Sequence, residues 1–265
     1  MGPDAEPSDA EPRQTNGGTR FAVAEWFAEI DSTNRYLADA ARASALDGRV
    51  AVADVQHAGR GRLDREWTAS PGSSLLVSVL VRPNLPREMF TWLTGAAGLA
   101  AVETVTSCCD LPARTKWPND VVLDRGPMPG KLAGVLAEAV GDAVVIGMGL
   151  NVAWDVVPDE LTGIATAVSL AGGRVVDREV LLAEWLQRFD RHLGWLERDP
   201  AGGSAHIARL LRGRSATLGR HVRAELPSGS IEGIAADIDA QGALVMERPD
   251  GTRVTVGAGD VIHLR

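Results

Sequence analysis

The sequence predicts an α/β protein (α+β in the broader sense), followed at its C-terminal end by a small β-barrel. Three observations lead to this fold class. The chain has 265 residues, of which 45% are hydrophobic and 23% charged, as expected for one large globular domain with a small appendage. Apolar runs of strand length are interspersed with helical runs up to about residue 212. Beyond about residue 213, only short strand-like runs separated by turns remain.

The domain boundaries follow from composition. Residues 1–19 are rich in Asp, Glu, Pro, Gly and hydroxyl side chains and hold almost nothing apolar, so we expect a disordered tail. Globular patterning covers residues 20–212, which we predict to be the large domain, and residues 213–265 form the predicted barrel.

Individual elements are predicted from hydrophobic period and turn residues. Residues 21–27 predict a first strand, and the polar group at 31–34 supplies capping side chains for a helix over 36–43. The remaining predicted elements of the large domain are strands at 50–55, 74–81, 113–117 and 121–124, an apolar helix at 90–108, a hairpin of 131–140 and 143–148, and an amphipathic helix at 177–196. The barrel has predicted turns at Ser228-Gly229, Gln241-Gly242 and Asp250-Gly251.

Charge and composition exclude several protein classes. The 27 Lys and Arg are outnumbered by 35 Asp and Glu, and the net charge of -8 argues against a nucleic-acid-binding protein. No apolar run is long enough to span a membrane, and no secretory signal precedes the domain. The adjacent Cys108 and Cys109 cannot form a disulfide framework and are expected to be packed thiols. We therefore expect a cytoplasmic protein.

Common catalytic motifs are also absent from the sequence. The segment GPMPGKL at 126–132 is too short for a phosphate-binding loop and lacks its Ser or Thr. The segment GMGLNV at 147–152 lacks the third glycine of a dinucleotide fingerprint. No GxSxG segment occurs, and the five histidines show no zinc-binding spacing. We therefore predict no metal site built from the protein's own side chains.

The most informative segment is QHAGRGRLDREW at 56–67. It carries Arg60, Arg62 and Arg65 and is interrupted by Gly59 and Gly61, so neither a regular helix nor a buried strand suits it. Guanidinium groups and glycine amides together can wrap an anion. The segment alone predicts either an anion-binding loop or a solvated basic turn.

Five segments, taken in order, resemble the biotin protein ligase family. They are DSTNRY at 31–36, the glycine–arginine segment at 56–67, KWPND at 116–120, KLAGVL at 131–136 and GMGLN at 147–151. The resemblance runs from about residue 21 to the C-terminus. It implies a central mixed β-sheet flanked by helices, with an SH3-like C-terminal barrel. It further implies the monofunctional type of ligase, without an N-terminal DNA-binding domain.

The resemblance also implies a two-step ligase reaction. Biotin and MgATP give biotinyl-5′-AMP and pyrophosphate; a lysine of a biotin carboxyl carrier domain of an acyl-CoA carboxylase then attacks, forming an amide and releasing AMP. The implied cosubstrates are therefore ATP and Mg²⁺, with biotin as the substrate. Because the biotin carboxylate is itself the nucleophile, the first step needs no Ser, Cys or His nucleophile.

The family motifs assign biotin binding to residues of four segments: Ser32, Thr33, Asn34, Gln56, Arg60, Gly61, Arg62 and Lys131. Hydroxyl and amide groups suit the ureido ring, which both donates and accepts hydrogen bonds. Ser32 and Thr33 can equally serve as helix caps. Arg60, Gly61 and Arg62 are expected to close over the biotin tail and the α-phosphate and to exclude water.

The motifs assign the nucleotide to a second group: Arg65, Trp67, Lys116, Asn119 and Asn151. The residues expected to act in catalysis are Arg62, Lys116, Asp120 and Lys131, with Lys131 bridging the carboxylate and the phosphate. Asp120 either coordinates Mg²⁺ or receives the incoming lysine ammonium. Trp67 and Trp117 either line the nucleotide side or pack in the core.

Asp64 stands where the family pattern usually has glycine, and we expect slower or looser loop closure from it. The implied partner is the carrier domain, with no nucleic acid and no membrane, in a monomer or weak homodimer. The alternatives are a lipoate or octanoate ligase on the same scaffold, a biotin-sensing regulator and a non-catalytic carboxylase scaffold. The short polar segment before the first motif and the acidic charge argue against a repressor.

Overall fold

A computed structural model describes residues 10–15, 18–63, 65–126, 128–226, 229–257 and 259–264. Eight strands form a large sheet: β1 (Glu11–Gln14), β2 (Val23–Ile30), β3 (Val50–Gln56), β4 (Ser74–Val81), β5 (Arg114–Lys116), β6 (Asp120–Leu123), β7 (Gly130–Val140) and β8 (Ala143–Asn151). Their order is β1-β2-β3-β4-β8-β7-β6-β5. The pair β2–β3 is parallel and the other pairs are antiparallel, so the predicted mixed sheet is confirmed.

Helices cover both faces of this sheet. The elements are α1 (Thr33–Arg42), α2 (Thr91–Cys109), α3 (Arg178–Arg198) and α4 (Pro200–Gly213). On one face, Leu37 of α1 packs with Phe27 and Leu80, whereas Leu93 of α2 and Val77 belong to the larger core on the opposite face. Because strand side chains alternate between faces, each strand contributes to both cores.

A second, five-stranded antiparallel sheet follows. It consists of β9 (His221–Leu226), β10 (Gly229–Ile238), β11 (Leu244–Glu247), β12 (Arg253–Val256) and β13 (Asp260–His263), in the order β12-β11-β10-β9-β13. No ladder joins the edge strands β12 and β13 within the described residues, so the sheet is open rather than a closed barrel. Trp117 of the large domain packs into its core beside Met246, and its indole Nε1 donates to Gly242 O at 3.0 Å.

Most predicted elements are confirmed to within a few residues, including the helix that Ser32 caps and the strands around the glycine–arginine segment. The predicted turns at Gly242 and Gly251 are confirmed by positive φ angles, while Ser228 lies outside the described residues. None of the described helices has the length and apolarity needed to cross a membrane.

Besides the open C-terminal sheet, two further features differ from the predictions. The tail expected to be disordered contains β1, which pairs with β2 and places the Arg13 guanidinium 4.5 Å from the Trp26 ring; residues 1–9, 16 and 17 lie outside the described residues. Helix α4 was not predicted, because its adjacent glycines disguise the helical pattern. Gly203 is needed there, since a Cβ would lie 2.6 Å from Trp195 O of α3.

Candidate active site

Two adjoining cavities lie beneath the segment that follows β3. We call residues 57–67 the glycine–arginine loop; all of them except residue 64 are described. The large cavity, of ≈ 510 Å³, lies between the large sheet, this loop and the C-terminal sheet. The small cavity, of ≈ 50 Å³, lies between α1, β3, β4, β7 and β8. The prediction about Asp64 falls on the residue that the structure does not describe.

The small cavity is lined by neutral polar groups that bind one another. Thr33 N donates to Gln56 Oε1 at 2.8 Å, and the Thr33 and Ser78 hydroxyls lie 2.7 Å apart. Ser78 Oγ donates in turn to Asn34 Oδ1 at 2.6 Å. Thr33, Asn34 and Ser78 are buried, which makes each of these hydrogen bonds costly to lose.

Local sequence explains how α1 presents these groups. Ser32 has extended backbone angles and accepts from Arg35 N at 3.4 Å, so it caps the helix while also lining the cavity. The first turn of α1 then meets β8 at Gly147, where a Cβ would lie 2.2 Å from Asn34 Oδ1. Only glycine at this strand position leaves room for the Asn34 amide.

Glu138 of β7 belongs to the same network, although the sequence did not single it out. Its Oε2 accepts from Asn34 Nδ2 at 2.7 Å, and its Oε1 accepts from Arg60 Nη2 at 3.0 Å. Glu138 therefore ties the loop to the floor of the small cavity. A signal was present: an acidic residue in an apolar strand, on the same face as Gly134 and Leu136.

Trp67 lies across a pair of glycines in the sheet. Gly134 and Gly149 are Cα partners on β7 and β8, and a Cβ at Gly149 would lie 2.4 Å from Trp67 Cε2. The Lys131 Nζ lies 5.3 Å from the Trp67 ring centroid, within the range of a cation–π interaction. Of the two alternatives for the tryptophans, Trp67 lines the site, whereas Trp117 packs in the core.

The large cavity is lined by charged side chains of both signs, five cationic and four acidic. Lys116 and Lys131 both line it, and they are the only two lysines in the chain. Lys131 Nζ forms an ion pair with Asp120 Oδ1 at 2.7 Å. Asn119, in the turn before β6, donates from Nδ2 to Val135 O at 2.8 Å. The segment KWPND therefore presents Lys116, Asn119 and Asp120 to one space.

The buried Asn151 at the end of β8 also lines the large cavity. Its Nδ2 donates to Thr166 O at 3.0 Å. This hydrogen bond ties the strand to the segment carrying Ile164 and Ala165, which form part of the wall.

The glycine–arginine loop is held against the C-terminal sheet. Arg62 Nη1 donates to Asn119 Oδ1 and Nη2 to Gly259 O, both at 3.2 Å, and Arg65 Nη2 pairs with Asp260 Oδ2 at 2.5 Å. Burial lowers the pKa of the Arg62 guanidinium, which nevertheless remains a cation at neutral pH. The loop therefore bridges the two sheets.

The C-terminal sheet also contributes residues that the sequence did not predict. Arg220 and His263 line the large cavity, and Arg220 Nη2 donates to Asp124 Oδ2 at 3.1 Å. Burial, together with the charges of Lys116 and Arg220, lowers the pKa of His263 to about 4. His263 is therefore neutral at neutral pH.

The two cavities share one wall: Gly61, Arg62, Trp67, Asn119 and Lys131 line both. Every residue singled out from the sequence for binding or catalysis lines at least one of them. The geometry offers a hydrogen-bonding pocket with neutral groups from α1, β3 and β4, a charged space large enough for a nucleotide, and two cations where the pockets meet. No cluster of three or more metal-ligating side chains occurs within the described residues.

Comparisons with known proteins agree with this geometry. Residues 26–151 match the biotin/lipoate A/B protein ligase family and residues 217–264 match the biotin protein ligase C terminal domain. The chain is 41% identical over 255 residues to the biotin–[acetyl-CoA-carboxylase] ligase of Mycobacterium tuberculosis, covering 94% of this chain and 91% of that protein.

Two solved structures are similar as well. The Aquifex aeolicus biotin protein ligase in complex with biotin and ATP has a TM-score of 0.78 and 27% identity, over 91% of this chain and 99% of that one. The Leishmania major biotin protein ligase in complex with biotinyl-5-AMP has a TM-score of 0.61 and 26% identity, over 89% and 98%.

Proposed function

The chain belongs to the biotin protein ligase family, and we propose that its two joined cavities carry out the activation step of that reaction. The protein is an ATP-dependent ligase that converts biotin to biotinyl-5′-AMP and transfers the biotin to a lysine of a carrier protein. The carrier that we propose is the biotin carboxyl carrier domain of an acyl-CoA carboxylase. The ATP is taken as MgATP.

We assign the biotin ring to the small cavity. Its side chains include Ser32, Thr33, Asn34 and Gln56, which match the donors and acceptors of a ureido group. A lipoyl or octanoyl chain has no group that pairs with these donors and acceptors. It would therefore exclude water from them without giving them a new partner. The polar lining therefore favours biotin over the acyl substrates of the related ligases.

The nucleotide occupies the large cavity, so the biotin carboxylate and the α-phosphate meet at the shared wall. Two anions repel each other there unless positive charge is already in place. Lys131 and Arg62 supply this charge from β7 and from the loop, without needing to change protonation. Such preorganised charge contributes about 3–4 kcal/mol of transition-state stabilisation per group.

Asp120 is the counter-ion of Lys131. When the substrates bind, the Lys131 ammonium donates to their oxygens instead of to Asp120. Asp120 then becomes available to a second cation. That cation is either the Mg²⁺ of MgATP or the ammonium group of the acceptor lysine. Lys116 adds charge further along the phosphate chain.

The glycine–arginine loop acts as the cover of the site. Arg60 reaches Glu138 on one side and Arg65 reaches Asp260 on the other, so the loop spans the entrance. A closed loop keeps water from the mixed anhydride and holds the adenylate until the carrier lysine arrives.

The single observation that carries this proposal is the sharing of Arg62 and Lys131 by both cavities. Its test is incubation of the protein with ATP, biotin and a biotin carboxyl carrier domain, followed by mass spectrometry of the carrier. We expect the mass of one biotinyl group on one lysine, dependent on ATP. Modification with lipoate but not biotin would overturn the proposal.

A further inference from the structure

The polar groups of the small cavity form one continuous chain of contacts that ends at Glu138. It runs from Gln56 through Thr33, Ser78 and Asn34 to the carboxylate, with separations of 3.1, 2.7, 2.6 and 2.7 Å. Each hydroxyl in this chain has a single hydrogen to donate. The direction of one hydrogen bond therefore constrains the direction of the next.

The carboxylate settles that direction. An ionised carboxylate only accepts, so the Asn34 amide turns its Nδ2 to Glu138 and its Oδ1 to Ser78. Ser78 must then donate to Asn34, and the single hydrogen of Thr33 Oγ1 goes to Ser78 at 2.7 Å in preference to Gln56 Oε1 at 3.1 Å. At the far end, the Thr33 backbone N–H fixes Gln56 Oε1 as an acceptor at 2.8 Å. The hydroxyl oxygens of Thr33 and Ser78 are left as acceptors, flanked by amide donors of Asn34 and Gln56.

Run in the opposite direction, the chain would also give nearly every group a hydrogen-bond partner. If Asn34 were flipped, Ser78 would accept from it and donate to Thr33, whose hydrogen would go to Gln56 Oε1 at 3.1 Å. Every group in the reversed chain has a partner except at Glu138, where two acceptors would face each other. The carboxylate is thus the one group in the chain that excludes reversal.

We propose that Glu138 is a positioning residue that fixes the hydrogen-bond direction of the small cavity and thereby its selectivity for a ureido group. Because the ureido ring is assigned to this cavity by the proposed function, the role of Glu138 rests on that function. A ureido group has two N–H donors and one carbonyl acceptor, and the fixed chain offers acceptors and donors to match them. Selectivity of this kind comes from polar groups that a wrong ligand leaves unpaired.

The ion pair of Glu138 with Arg60 is a separate contribution. It ties the loop to the sheet, whereas the contact with Asn34 orders the floor of the cavity. Replacing Arg60 removes the first and keeps the second. The two effects can therefore be measured independently.

The test compares biotin with 2-thiobiotin, in which sulfur replaces the ureido oxygen, so that a weak acceptor stands where biotin has a strong one and neither ring is charged. ATP-dependent pyrophosphate release gives kcat/KM for each ligand. In Glu138→Gln, whose amide can donate or accept, we expect the preference for biotin to fall on the order of tenfold, because the reversed chain becomes available. In Arg60→Gln, both values should fall together and the preference should stay within about twofold of wild type.

Glu232→Gln on β10 is the matched control for the substitution itself, since Glu232 is exposed, belongs to the C-terminal sheet and lines neither cavity. An unchanged ligand preference in Glu138→Gln would overturn the role of Glu138 while leaving biotin activation intact. Absence of biotin-dependent pyrophosphate release from the wild type would instead overturn the proposed function. If Glu138→Gln does not fold, Glu138→Ala removes the same acceptor, leaves the Asn34 amide able to turn, and carries the test with the same expected loss of preference.

Discussion

The two cavities recognise their ligands by different physical means. The polar groups that α1, β3 and β4 present to the small cavity are neutral, and they are buried and hydrogen-bonded to one another. The large cavity is lined by charged groups, several of which pair with carboxylates. Lys131 and Arg65 hold Asp120 and Asp260 there as internal counter-ions.

This difference separates recognition from chemistry. A rigid network of directional hydrogen bonds selects one ring, and it changes little when the ring reacts. Exchangeable ion pairs can instead release their cations to an anion that arrives or develops during the reaction. Charge is thus concentrated on the side where phosphate chemistry takes place, and the wall shared by the cavities is where both properties meet.

The largest expected effect on activity comes from removing Lys131, which lines both cavities. Lys131→Ala should reduce biotin-dependent pyrophosphate release on the order of 10³-fold, because the site loses a cation aimed at both reacting anions. Arg42→Ala, which removes an exposed cation from α1, is the control and should retain full activity. Circular dichroism of both variants reports whether the fold is kept. Normal pyrophosphate release from Lys131→Ala would refute the role of the shared wall.

Displacing Trp67 tests whether the position of its ring in the wall shared by the cavities affects the reaction. In Gly149→Ala, the new Cβ would lie 2.4 Å from the ring, compared with 3.4–4 Å for an ordinary contact, so the indole must move by roughly 1 Å. A shift of that size at the junction should lower kcat/KM for biotin on the order of 10²-fold.

Gly98→Ala in α2 is the matched control, because a Cβ there meets nothing within 4 Å. It should leave activity unchanged and keep or slightly raise the melting temperature. Equal activity of the two alanine variants would mean that the position of Trp67 has no part in the reaction.

Salt should distinguish the two cavities directly. Raising the ionic strength from about 0.05 M to about 0.5 M shortens the screening length several-fold. We expect the Kd of a non-hydrolysable ATP analogue to rise about tenfold and the Kd of biotinamide, which carries no carboxylate, to change less than about twofold. Isothermal titration calorimetry measures both. Equal salt dependence would contradict the division into charged and neutral halves.

Local sequence predicted most helices and strands of the large domain and the motif segments whose residues line the two cavities. Segments such as KWPND contain several site residues at once, so the fold brings them to the site together. Long-range partners were missed: Glu138 contacts Arg60 across 78 positions, and Asp260 contacts Arg65 across 195. No local pattern encodes such pairs.

The same limit applies to the elements that were wrong. β1 is ordered by its ladder with β2 rather than by its own composition. A barrel is closed only if its two edge strands pair with each other. The hydrophobic alternation and the turn residues of the sequence do not determine whether they do. The glycines of α4 lower its helical propensity, and its packing against α3 overrides that cost.

The smallest expected effect concerns pH and the large cavity alone. The pKa of His263 in the folded protein, about 4, lies below its ordinary value of 6.5. Between these values the unfolded chain binds more protons, so the free energy of unfolding should fall as the pH falls from 6.5 to about 4. Denaturant titrations of wild type and His263→Gln measure this slope. The variant should show a shallower dependence, and identical slopes would exclude His263 as its source.

The most direct test is a crystal structure of this protein with a non-hydrolysable analogue of biotinyl-5′-AMP. We predict that Lys131 Nζ leaves Asp120 and lies within hydrogen-bond distance, about 2.7–3.2 Å, of the bridge between the biotinyl and phosphate groups, with Arg62 beside it. The ring would fill the small cavity and the adenosine the large one. A complex in which the bridge contacts neither Lys131 nor Arg62 would contradict the account.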